Sequence, residues 1–143
     1  MKVCVVALAA GLAACTSLGE DSIFEGLPDG SVQPVQPTLT SLNETVFLPL
    51  CSCHRLDPPS GGLDMRTAML PDSLVDVPSQ CAGVTMDRVE PGDPDNSFLA
   101  VKLAAHTEGG AVMCGDPMPQ VGSGITQAQL DAVRQWISDG ALP

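Results

Sequence analysis

The sequence predicts an all-α domain of three to four short helices joined by long ordered loops, preceded by a flexible N-terminal tether. Three observations carry that prediction. Helix start signals recur along the chain, each followed by apolar residues at helical spacing. β-Branched alternation is brief wherever it occurs, so strand signals are poor. The 143 residues also hold 14 glycines and 13 prolines, which supply turns and loops between short elements.

At the N-terminus, Lys2 is the only charge before Glu20, and Val3 to Ala10 form an apolar run too short to cross a bilayer as a helix. Residues 1–14 therefore read as a signal peptide. Leu12-Ala13-Ala14-Cys15 resembles the lipobox of bacterial lipoproteins, which implies cleavage before Cys15, lipid on that cysteine and attachment to a membrane through it. The plainer alternative is an ordinary secretory signal that contains a cysteine. Thr16 stands where retention in the inner membrane often uses Asp. The expected location is thus the cell envelope, the outer membrane favoured over the inner, facing the periplasm or the cell surface.

Loss of Lys2 with the signal peptide takes the formal charge from −11 to −12. That excludes nucleic acid and anionic lipid as electrostatic partners and leaves two readings, a basic partner protein or a solvated acidic surface. Past Cys15 the cysteines are Cys51, Cys53, Cys81 and Cys114. In an oxidising compartment, disulfides and covalent cofactor attachment both persist.

Residues 15–40 are rich in Gly, Pro, Ser and acids and show no sustained period; as a flexible tether they would span roughly 25 Å. Residues 41–143 form one domain. Ser41-Leu42-Asn43-Glu44 is a capping box, so Ser41 is expected to cap a short helix through Val46, Phe47 and Leu50. A weaker helical stretch lies around Arg66 to Val75 and breaks at Pro71. Asp93-Pro94 places an N-cap acid before a first-turn proline, opening a helix with Phe98, Leu99, Val101 and Leu103 that ends near His106 and Gly109-Gly110. Thr126-Gln127-Ala128-Gln129 is a second capping box. Its helix would bury Leu130, Val133, Trp136 and Ile137 and close at Gly140. The domain has no Tyr, one Trp, and only Phe47 and Phe98 as phenylalanines. A core so thin in aromatics calls for a disulfide, a metal or a large buried cofactor.

Cys51-Ser52-Cys53-His54 is the densest cluster of soft ligands, and it follows a short helix directly. That is where c-type cytochromes carry Cys-x-x-Cys-His. Further pieces stand in order: Phe47 to Cys51; Gly61-Gly62-Leu63-Asp64-Met65; Leu74 to Ser79; Arg88 to Pro94 with Ser97-Phe98-Leu99 and Lys102-Leu103; Met118-Pro119; and Trp136 to Ala141. On these the chain resembles the planctomycete- and myxobacterial-type cytochrome c domains of exported proteins. The resemblance implies a small helical cytochrome c-like fold with haem c attached at Cys51 and Cys53, His54 as proximal iron ligand and Met118 as distal ligand. A thioether there favours a low-spin electron carrier over an oxygen-binding site. Met118 could otherwise be a core methionine, Met113 is close enough to compete with it, and His106 reads as a surface residue. The implied partner is a basic redox protein. The chain has no Ser-His-Asp pattern, no His-Glu-x-x-His and no Gly-rich phosphate loop, so an enzyme is not expected.

Cys81 and Cys114 are the expected disulfide, which would pin the Met118 loop to the body of the domain; a pairing such as Cys51–Cys81 stays open. The haem motif itself departs from the family pattern. Only Ser52 separates its cysteines, and Arg55 stands where the family usually has Gly. Three outcomes follow: haem held by one thioether through Cys53, haem held by both cysteines in a tightened loop, or a haem-free domain kept folded by disulfides and acting as an envelope interaction module. A further alternative is a copper(I) or zinc site on Cys-x-Cys-His, for which zinc would need another ligand.

Overall fold

In the computed structural model, which describes residues 34–120 and 124–143, Thr38 rather than Ser41 starts the first helix. Residues 1–33, with the expected signal peptide, Cys15 and most of the tether, lie outside the described residues. Thr38 is extended and its hydroxyl accepts the Ser41 amide at 3.3 Å. The Ser41 hydroxyl instead accepts the Gln36 amide at 2.9 Å. The earlier start has a packing cause: it brings Leu39 onto the same buried face as Leu42.

Helix α1 (Leu39–Leu42) runs into a π-wound turn (Asn43–Phe47) and then α2 (Leu48–Leu50). Pro49 has no N–H to give to the carbonyl of Thr45, four residues back. That carbonyl accepts instead from Gln129 Nε2 at 2.8 Å, which ties the N-terminal helices to the last one. The run ends at Cys51, and a tight 3-10 turn (Ser52–Arg55) follows.

The central region contains turns and isolated bridges, with no strand among the described residues. Residues 86–89 are stitched on both sides: Arg88 N donates to Val77 O at 2.7 Å and Val89 N to Leu74 O at 3.2 Å, while Phe98 N donates to Asp87 O at 2.9 Å. The helical stretch expected near Arg66 to Val75 reduces to one 3-10 turn (Thr67–Met69), because Pro71 blocks its continuation. Asp93 does act as an N-cap, its carboxylate accepting the Asn96 amide at 3.1 Å, but it caps a separate 3-10 turn (Pro94–Asn96). Helix α3 (Phe98–Thr107) begins only after Ser97, whose buried hydroxyl donates to the Asp93 carbonyl at 2.8 Å and accepts the Glu90 amide at 2.9 Å.

Helix α4 (Gln127–Ser138) has the predicted capping box in full: Thr126 Oγ1 accepts the Gln129 amide at 3.2 Å and Gln129 Oε1 accepts the Thr126 amide at 2.9 Å. Gly140, at φ +98, ends it as expected. α4 packs on α3 and α1, and Phe47, Leu103, Leu130 and Trp136 are buried together in the core. The all-α class therefore holds for the described residues. Cys81 and Cys114 are joined, Cα to Cα 5.9 Å, across 33 residues. The alternative Cys51–Cys81 pairing is not adopted.

Candidate functional site

Between these elements lies a cavity of about 550 Å³. The end of α2 and the turn after it contribute Leu50, Cys51, Cys53 and His54. α3 contributes Phe98, Leu99, Lys102 and Leu103, and the loop before α4 contributes Cys114 to Asp116 and Met118 to Gln120. Buried Met65 and Leu74 complete much of the apolar wall, and Arg88 is the one arginine that reaches it. The Cys81–Cys114 disulfide lies in the wall as well.

His54 is held at several points. Its amide donates to Cys51 O at 3.0 Å and its carbonyl accepts from Met65 N at 2.9 Å. Its Nδ1 lies 2.8 Å from the carbonyl oxygen of Ser60. A carbonyl can only accept, so Nδ1 donates to it, and in the neutral ring Nε2 is the nitrogen that bears the lone pair. A backbone carbonyl in this role fixes the ring orientation of a metal-binding histidine.

The two nearby thiols differ sharply. Cys51 is buried among core residues, and its thiol is pushed up to about 12, first by burial and then by the neighbouring Cys53. Cys53 is exposed, and neither cysteine is in a disulfide. Both border the same cavity as His54 and Met118. Met113, the competing methionine, is 58% exposed and does not line the cavity. His106 is exposed on α3 and also lies outside the lining.

Two basic residues carry more of the site than their sequence context indicates. Arg88 is buried, donating from Nη1 to Ser73 O at 2.6 Å and from Nη2 to Gly62 O at 3.0 Å. Among the described residues it has no carboxylate within ion-pair distance; the ion pairs are Arg66–Asp64 and Arg134–Glu108. Burial pushes its pKa below the usual arginine value. Lys102 is buried too, its ammonium donating to the carbonyls of Cys114 and Asp116. The available signal was the scarcity of cations: Lys+Arg total 6 in the whole chain, so each one buried is unusual.

Among the described residues, one group of three His, Cys, Asp or Glu side chains brings its ligand atoms within 4.8 Å of one another: Asp76, Asp87 and Glu90. Cys51, Cys53 and His54 do not form such a group. Comparison with family models, curated proteins and solved structures finds no match to the chain.

Proposed function

We propose that the protein is an envelope-tethered, monohaem c-type cytochrome-like electron carrier, with haem held by Cys53, His54 and Met118. One observation carries this reading: a single largely apolar cavity is bordered at once by Cys51, Cys53, His54 and Met118, residues that lie more than sixty positions apart in sequence at the extremes. Its volume of about 550 Å³ falls within the range of about 300–1,000 Å³ usual for small-molecule and cofactor sites.

The residues present suit such a group. His54, with its proton held at Nδ1 by the Ser60 carbonyl, offers Nε2 as the proximal donor. Met118 offers a thioether from the loop before α4. Arg88, a buried cation with no carboxylate partner among the described residues, would meet acidic substituents of the ligand. Apolar side chains, among them Leu50, Met65, Leu74 and Phe98, make up most of the lining around them. Bound there, haem supplies a one-electron iron couple, and thioether ligation favours a relatively high potential over oxygen binding.

Of the two cysteines, Cys53 is the attachment point in this reading. It is exposed, sits in the same turn as His54 and keeps the spacing to that histidine that the family motif has. Export and a lipid at Cys15 complete the proposal, and the acidic chain would dock a basic redox partner at the cell envelope. The haem-free alternative expects every cysteine other than Cys15 to be paired, and Cys51 and Cys53 are in no disulfide. A zinc site on Cys-x-Cys-His lacks the convergence of ligand atoms that zinc requires.

The test is an absorption spectrum of protein matured in a host with cytochrome c assembly machinery, followed by mass after denaturation. A Soret band that persists in denaturant, with a mass gain of one haem, is expected. A colourless protein whose Cys51 and Cys53 remain alkylatable would reject the proposal.

A further inference from the structure

We propose that Lys102 is a positioning residue for the Met118 loop, fixing from α3 where the Met118 thioether stands in the cavity. The inference rests on the haem reading for its functional meaning, but the geometry is a property of the chain alone. Among the described residues, every hydrogen bond that residues 109–120 make outside their own segment runs to Lys102. Its Nζ donates to Cys114 O at 2.6 Å and to Asp116 O at 2.5 Å, and its backbone carbonyl accepts the Met118 amide at 3.1 Å.

The loop is shaped to receive the ammonium. Gly115, between the two accepting carbonyls, has φ +65, and a Cβ there would stand 3.2 Å from Lys102 Nζ. A side chain at this position would crowd the cation as well as strain the backbone. Nζ also lies over the Phe98 ring, 5.6 Å from its centroid, within the range of a cation–π contact. A buried ammonium without such partners would be costly, so the loop and the lysine specify each other. The disulfide at Cys114 anchors the loop at one point; Lys102 adds the contacts that orient the stretch leading to Met118.

Two variants of the full chain test this. Lys102→Met keeps the apolar stem and removes the donors, and Gly115→Ala leaves the lysine in place but crowds its seat. In protein prepared without haem, amide exchange at Met118 should be at least about tenfold faster in Lys102→Met, since charge-assisted hydrogen bonds are lost, while α4 amides keep their protection. In haem-loaded protein the same variant should keep its Soret band, lose the charge-transfer band of a thioether–ferric haem, and bind carbon monoxide where the wild type does not. Unchanged exchange at Met118, or a rise matched in α4, would overturn the proposal, the second outcome marking a general loss of stability. If Lys102→Met fails to fold, Gly115→Ala decides by the same readouts. If the wild type takes up no haem, the proposed function falls, and the exchange measurement still settles the role of Lys102.

Discussion

Cys51 and Cys53 are separated by one residue, yet the fold treats them differently. Cys51 closes α2 and is 8% exposed within the core; Cys53 lies on the exposed turn that carries His54. Reactivity of a thiol follows its access and thiolate fraction, and Cys51 is poor in both. Cys53→Ala should therefore abolish covalent haem, leaving pigment that is extracted on denaturation. Cys51→Ala should retain one covalent haem per chain. Intact mass together with the Soret band in denaturant reads both outcomes. Equal loss in the two variants would show that both thiols are needed and that the shortened loop still serves both.

Helix α4 shows how far local sequence reaches at the scale of an element. Its start is written in Thr126 and Gln129, both bonds of the box form, and Gly140 ends it. Thr126→Ala removes one of these reciprocal bonds and should cost about 1 kcal/mol in urea unfolding, as N-cap replacements generally do. A midpoint within error of the wild type would mean that tertiary packing alone sets the boundary. The first helix was less legible. Thr38 and Ser41 are both good N-cap residues three positions apart, so the local signal is degenerate, and the burial of Leu39 decides between them. The π-wound turn was not legible at all, because the carbonyl that Pro49 leaves free finds its partner in Gln129, 84 residues away. At the site, spacing alone drew attention to Cys51, Cys53 and His54. Met118-Pro119 set Met118 ahead of Met113 through the family resemblance alone; the cavity separates them directly, since one lines it and the other does not. Arg88 and Lys102 stood in recognised segments with no role attached, since the carbonyls that hold them come from distant turns.

For the whole molecule the question is what holds a domain with so few aromatic residues around a cavity of about 550 Å³. Met65, Leu74 and Leu103 are buried and border that space, so the apolar core is packed around it and leaves it open. The Cys81–Cys114 bridge is a covalent tie, and it crosses the cavity wall rather than the periphery. Closing a loop of 33 residues removes unfolded-state entropy worth about 3–4 kcal/mol in the chain-entropy model. That is a large part of the roughly 5–15 kcal/mol typical of a domain. Cys81→Ser combined with Cys114→Ser should accordingly lower the urea midpoint of haem-free protein steeply. In haem-loaded protein the loss should be smaller than in the haem-free form, because ligation at Met118 would hold the same loop that the bridge ties at Cys114, and two restraints on one loop are not additive. Parallel urea titrations of the two forms, each against its wild type, measure the difference. An identical loss in both would separate the disulfide from the cavity, and no loss in either would show that the helices alone stabilise the fold.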